Sequence, residues 1–233
     1  CYGIEAINNL GNPAALIGHS LGEYTALCLS GYLDYKDALK VIAVRGEEMH
    51  KAVENSNTTM AAVLTGDLEA TIEEIEKLNN QGIQIWISNF NDPSQIVISS
   101  YIDDMNYLKS NPKALGAKRV IPLEVAGAFH TEIVSSAKKP LEDTLNSIDI
   151  SEGKIPVYMN VDAKKVEVST LKESLVNQID NSVLFNQQIE FVNNDIDPDL
   201  WCHIGPGNVT AGMVRKSISY KDLKVINSLE SSK

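Results

Sequence analysis

The five residues Gly18-His19-Ser20-Leu21-Gly22 constrain this chain more than any other segment. They match G-x-S-x-G and stand between a short apolar run, Ala14–Ile17, and a helical pattern from Leu21 to Ser30 that Gly31 closes. A serine in that position sits on a tight strand-to-helix turn, where small flanking residues relieve crowding and the hydroxyl projects from the sheet edge. The turn needs a strand whose carboxyl end feeds directly into a helix, so it argues for an α/β architecture.

The rest of the chain continues the alternation. Asp34 or Asp37 starts a second helix running to about Glu54. Met60–Leu64 reads as a strand, Leu68–Asn79 as a helix, Ile83–Ser88 and Ile96–Ser99 as strands, Asp103–Lys109 as a helix and Lys118–Val125 as a strand. That β-α-β-β-α-β order is the ferredoxin-like signature. A small inserted subdomain is therefore expected at 57–125, within an α/β-hydrolase-like core of mostly parallel sheet formed by residues 1–56 and 126–233. In the second core segment, Glu132–Ile148 reads as a helix, Ile155–Met159 as a strand, and Thr170–Gln178 and Gln187–Val192 as helices. A cleft between core and insert is the default position for a site.

Charge and composition remove several classes of function. Among the 233 residues, 20 basic side chains face 31 acidic ones, a net charge of −11 with no basic stripe, which argues against nucleic-acid binding. No apolar run approaches the roughly 18–20 residues of a membrane span. Cys1, Cys28 and Cys202 are odd in number and lack metal-site spacing, and they fit reduced thiols of the cytoplasm.

A serine hydroxyl needs a base to attack at neutral pH. Of the four histidines, His19 lies within the turn and is expected to point away, and His50 falls on a charged helix end facing solvent. His130 follows Ala126-Gly127-Ala128-Phe129 and precedes a predicted helix, whose N-terminus would favour neutral imidazole. A capping role is its structural alternative. His203 is the other candidate base. Arg45 interrupts the apolar helix stripe Ala38, Ile42, Met49, where a charge needs a partner. A salt bridge to one of the acids and a bidentate grip on a substrate carboxylate both satisfy that need.

Five motifs in order resemble the malonyl-CoA:acyl-carrier-protein transacylase family, which includes the acyltransferase domains of fatty-acid and polyketide synthases. They are Gly18-His19-Ser20-Leu21-Gly22-Glu23, Arg45-Gly46-Glu47-Glu48-Met49, Asn91-Asp92-Pro93-Ser94-Gln95, Gly127-Ala128-Phe129-His130 and Gly205-Pro206-Gly207. The resemblance runs from about Asn12 to Ile226. It implies a Ser20–His130 dyad, with the main-chain carbonyl of Gln178 orienting the histidine and the N–H of Leu21 serving the oxyanion. It implies that Arg45 holds a malonyl carboxylate, that malonyl-CoA is the donor and that the phosphopantetheine of an acyl carrier protein is the acceptor. No metal or redox cofactor is implied. The Gly-Ala-Phe-His segment looks like the malonyl-selective form. The family opens with a Gly-Gln-Gly turn whose glutamine supplies a second oxyanion N–H; residues 1–233 contain no such turn, so this stretch is expected to carry half of the oxyanion hole.

Three other readings compete. An acyl hydrolase on the same scaffold characteristically lacks the arginine. An α/β-hydrolase esterase would pair His203 with Asp195, Asp197 or Asp199. A carrier-protein docking module would bind without forming an acyl-enzyme. For docking, Lys138-Lys139 and then Arg215-Lys216 are the basic pairs expected to serve.

Overall fold

The computed structural model describes residues 1–218 and 221–228. The chain opens with α1 (Tyr2–Leu10), β1 (Leu16–Ile17), α2 (Leu21–Ser30) and α3 (Tyr35–Val53). Gly31 ends α2 in the left-handed conformation, its N–H returning to Leu27 and Cys28 carbonyls. Asp34 caps α3 by accepting from the Lys36 N–H. Next come β2 (Thr58–Leu64), α4 (Leu68–Asn80), β3 (Ile85–Asp92), β4 (Gln95–Tyr101), α5 (Ile102–Ser110) and β5 (Arg119–Pro122). The chain closes with α6 (Lys138–Asn146), β6 (Val157–Tyr158), α7 (Val168–Asn177), α8 (Phe185–Ile196), β7 (Leu200–Ile204), α9 (Val209–Ser217) and β8 (Asp222–Ile226).

The molecule is α/β, with parallel pairing in one region and antiparallel pairing in another. β1 pairs in parallel with β6, and β7 in parallel with β8. The mostly parallel core sheet expected from the sequence is thus seen as two short parallel pairs among the described residues. Residues 58–122 build one antiparallel sheet in the order β3-β4-β2-β5, with its own core that includes Ile75, Ile96, Ile98 and Leu108. A second core, including Leu27, Val41, Leu141 and Leu175, lies under α2, α3, α6 and α7. A third gathers Phe185, Ile189, Trp201 and Met213 around α8 and α9.

The antiparallel unit is stitched to the rest through its edge strand. Phe90 N–H donates to the Val183 carbonyl and Val183 N–H to the Ser88 carbonyl, each at 2.9 Å. This pairing covers an edge that would otherwise expose unpaired main chain. Register shifts between Ile87 and Asn89 and between Phe90 and Asp92 mark irregularities in β3. Such bulges re-aim side chains; here Asn89 and Asn91 face a cavity while Phe90 packs on the small core.

Several boundaries differ from expectation. The helix expected over 132–148 divides into a 3-10 segment, Glu132–Ala137, and α6. Pro140 explains the break: it cannot donate and is tolerated only in a first turn, so the α-helix begins at Lys138. The final strand of the antiparallel sheet stops at Pro122 rather than Val125. α8 is twice the expected length, and α1, β7, α9 and β8 were not expected from the sequence. No helix among the described residues is long and apolar enough to cross a membrane.

Ile98 is fully buried at the centre of the antiparallel sheet. Ile98→Ala should lower the unfolding free energy by about 2–5 kcal/mol through lost burial and residual cavity. Urea denaturation checks this, and a loss below about 1 kcal/mol would show that this core collapses around the gap.

Candidate active site

The turn between β1 and α2 forces Ser20 into an uncommon backbone, φ 51° and ψ −105°. A non-glycine residue there carries strain that the surroundings must hold. Gly18 makes the turn possible: a Cβ on it would lie 2.1 Å from the Gly22 carbonyl carbon. The turn is locked from β6's side by Asn160, whose side-chain amide accepts from the Ser20 N–H at 2.8 Å and donates to the Gly18 carbonyl at 2.6 Å.

Ser20 Oγ lies 2.7 Å from His130 Nε2. His130 Nδ1 lies 2.8 Å from the Gln178 carbonyl oxygen. A carbonyl can only accept, so Nδ1 carries the hydrogen and a neutral ring leaves Nε2 free to accept the serine proton. The imidazole is held well below its ordinary pKa, at about 3, first by burial and then by the positive Arg45 beside it. Neutrality was expected from a helix N-terminus, but desolvation is the larger cause. His130 also takes a left-handed backbone, φ 59°, at the point where the chain turns into the 3-10 segment.

Arg45, on α3, is only 7% exposed, and no carboxylate lies within ion-pair distance of it among the described residues. Its Nη2 donates to Ser20 Oγ at 3.0 Å and to Gln178 Oε1 at 2.9 Å, and Nε donates to the same oxygen at 3.3 Å. The guanidinium carbon stands 5.5 Å from the centre of the Tyr24 ring. The salt bridge considered for Arg45 is therefore not what holds it. The Leu21 N–H begins α2, where first-turn amides have no intrahelical acceptor.

These groups open into a cavity of about 390 Å³ between the antiparallel sheet and the remainder of the chain. Met49, Met60, Ala62, Val97 and Phe129 supply an apolar wall, and Asn89, Asn91 and Gln95 a polar one. His19 lines this cavity too, which corrects the expectation that it points away. Its Nε2 meets Asn91 Oδ1 at 2.9 Å and its ring stacks edge-on with Phe185. His50 is exposed, as expected. His203 contacts Thr210 and does not line the cavity, Asp195 is bonded to Tyr158 and Asp197 to Lys221, so the esterase arrangement is not formed. Lys138 is tied to Asn177 and Asp180, Lys139 to Glu142 and Asp143, and Lys216 to Asp92.

The sequence reading missed three polar side chains. Glu23, Asn160 and the amide of Gln178 are all fully buried beneath the serine turn. Glu23 Oε2 accepts from Gln178 Nε2 at 2.6 Å, and that nitrogen also donates to the Ser20 carbonyl at 2.9 Å. Their buried polarity is the only local sign of a role, and sequence cannot display burial.

Residues 4–230 match the acyl transferase domain family. The malonyl CoA-acyl carrier protein transacylase of Bacillus subtilis (strain 168) is 38% identical over 88% of this chain and 64% of its own length. The enzyme of the same name from Staphylococcus aureus (strain MRSA252) is 34% identical over 99% of this chain and 74% of its own. A malonyl-transacylase solved in complex with a type II PKS acyl-carrier protein superposes with a TM-score of 0.90 at 29% identity, covering 99% of this chain and 75% of that one. The chain thus spans just under two thirds of the Bacillus relative and about three quarters of the other two.

A histidine with a pKa lowered from 6.5 to about 3 is protonated in the unfolded chain but not in the folded one between those values. His130 therefore destabilises the fold progressively as pH falls below 6.5, with a limiting slope of about 1.4 kcal/mol per pH unit. His130→Asn retains a residue tolerant of positive φ. The unfolding free energy of this variant minus that of the wild type should rise as pH is lowered from 6.5 towards 4.5. A pH-independent difference would mean that the imidazole titrates normally.

Proposed function

The chain belongs to the malonyl CoA-acyl carrier protein transacylase family of acyl transferase domains, and from that premise we propose that it moves malonyl groups from coenzyme A to the phosphopantetheine thiol of an acyl carrier protein. One observation carries this reading: Ser20 Oγ lies within hydrogen-bond distance of both a neutral imidazole and a buried guanidinium that makes no direct ion pair among the described residues. A base beside a hydroxyl activates a nucleophile, and a cation without a directly bonded carboxylate beside it selects an acyl group bearing its own negative charge.

The reaction runs in two halves. His130 Nε2 takes the Ser20 proton as Oγ attacks the thioester carbonyl carbon, and the Leu21 N–H stabilises the oxyanion. The carbon–sulfur bond breaks, the coenzyme A sulfur takes the proton from His130, and a malonyl-serine ester remains. In the second half His130 accepts the proton of the carrier thiol. Its sulfur attacks the ester, and the Ser20 oxygen leaves and recovers the proton. The Gln178 carbonyl holds the ring in the tautomer both halves need. Arg45 exchanges its bond to Ser20 for the malonyl carboxylate, which stands where the guanidinium needs an anion. An acyl hydrolase of uncharged groups has no use for that cation.

On the same reading, residues 1–56 and 126–233 form an α/β-hydrolase-like core and 57–125 a ferredoxin-like subdomain. The order β3-β4-β2-β5, antiparallel throughout with α4 and α5 as its helices, supports the second assignment. The acyl group lies in the cavity between them, shielded from water while the ester waits. The reaction as written draws on no resident metal or redox group. Three unpaired cysteines support a cytoplasmic setting, serving fatty-acid or polyketide synthesis.

Arg45→Ala should lower kcat/KM for malonyl-CoA ten- to a hundred-fold, the range expected from about 1.5–3 kcal/mol of one charge-assisted hydrogen bond. Acetyl-CoA carries no carboxylate, so its kcat/KM should hold or rise once an unpaired buried charge is gone. An equal fall for both substrates would make Arg45 a structural residue and remove the support for a malonyl donor.

A further inference from the structure

Glu23 and Asp92 are the two buried carboxyls among the described residues, Glu23 with no exposed surface at all, and the acyl-transfer steps do not use it. It stands in the first turn of α2, three residues after the nucleophile. Its two oxygens meet donors only: the Asn160 main-chain N–H at Oε1 and Gln178 Nε2 at Oε2. Asn160 reaches back to the Ser20 N–H and the Gly18 carbonyl, so this contact also braces the turn.

Gln178 lies between two groups of opposite hydrogen-bonding character. A carboxylate can only accept and a guanidinium can only donate. The amide therefore has a single satisfactory orientation, with Nε2 towards Glu23 and the Ser20 carbonyl, and Oε1 towards Arg45. Turned over, it would present an oxygen to the carboxylate and an NH2 to the guanidinium, leaving like against like at both ends in a buried site.

We propose that Glu23 is a positioning residue for substrate selection: its carboxylate fixes the polarity of the Gln178 amide, and that amide aims the Arg45 guanidinium at Ser20 and at the acyl carboxylate. The proposal rests on the malonyl-transfer reading above. It assigns Gln178 two separable tasks, the main-chain carbonyl serving His130 and the side chain serving Arg45. Loss of Glu23 thus harms the grip on a charged acyl group more than the activation of the serine.

Ionisation matters to this arrangement. Burial pushes the Glu23 carboxyl up to about 8, opposed by the Asn160 N–H, the Gln178 amide and the positive Arg45 on α3, and helped by Asp162 following β6. Tyr24, its neighbour on α2, has a phenol raised by burial and stays neutral in this range, and His130 stays neutral above about 3. A protonated Glu23 can donate to Gln178 Oε1 and so lifts the penalty at that end of a flipped amide, which weakens the hold on its polarity. The ionised, aiming form accumulates as pH rises through about 8.

The test compares kcat/KM for malonyl-CoA and acetyl-CoA, with free pantetheine as acceptor, in wild type and Glu23→Gln between pH 6.5 and 9. The ratio of the two substrates cancels titration of the acceptor thiol. In the wild type the malonyl-to-acetyl ratio should climb through about pH 8. In Glu23→Gln, an isostere whose NH2 can donate where the carboxylate could only accept, the ratio should be at least ten-fold lower at pH 9 and flat with pH. Acetyl transfer should change by less than about three-fold, the selectivity loss being that of one charge-assisted hydrogen bond. An equal fall for both substrates would reduce Glu23 to a structural brace. A ratio that is flat with pH in the wild type and no higher there than in Glu23→Gln would refute the proposal. A wild type that favours malonyl while Glu23→Gln favours it equally would refute the role of Glu23 alone. A wild type that transfers neither group would refute the acyl-transfer reading with it.

Discussion

The guanidinium of Arg45 is buried and its hydrogen bonds go to neutral groups, and the geometry around Ser20 follows from how its donors are satisfied. A charge in that position needs acceptors, and the fold supplies the Gln178 Oε1 atom, the Ser20 hydroxyl oxygen and the face of Tyr24. Each of these is then committed to a position. Gln178 sits between α7 and α8, so its main-chain carbonyl is brought to His130 by the same placement that brings its amide to the arginine. The positive charge also helps keep the imidazole unprotonated, so on the proposed reading substrate selection and base chemistry share one electrostatic source.

Strain and close packing hold this arrangement in place. Ser20 and His130, on segments 110 residues apart, both adopt positive φ, and both are pinned by hydrogen bonds to main chain or amide groups of other elements. Gly18 lets the strand approach the first turn of α2 closely enough for Asn160 to bridge them. Across the cavity, the irregular β3 strand turns Asn91 towards His19 while pairing its own edge with Val183. The antiparallel sheet is thereby fixed as one wall of the site.

Sequence revealed what is local and hid what is not. The serine turn, Gly31 after α2 and Asp34 before α3 carry their conformational reasons in their own residue types, and their elements fall where expected. The β-α-β-β-α-β order was legible because each strand there is a compact apolar run bounded by polar or proline-containing turns. By contrast α1 has no side-chain cap to announce it, and Trp201-Cys202-His203 in β7 lacks an alternating pattern. The contacts that tie Glu23, Asn160 and the Gln178 amide to one another, to Ser20 and to Arg45 mostly span 133 to 158 positions, so no spacing rule could connect them. His19 was misjudged for a related reason: the strained backbone at Ser20 lets consecutive residues line one cavity. Family motifs supplied the Gln178 carbonyl but not the work of its side chain.

All of this depends on Ser20 forming a covalent ester with a charged acyl group. Intact-protein mass spectrometry after brief exposure to malonyl-CoA, followed by peptide mapping, tests that most directly. The account predicts a single malonyl adduct on the peptide containing Ser20, lost when the phosphopantetheine thiol of a carrier protein is added and recovered on that carrier. An unmodified protein, or an adduct confined to Cys28 or Cys202, would contradict it.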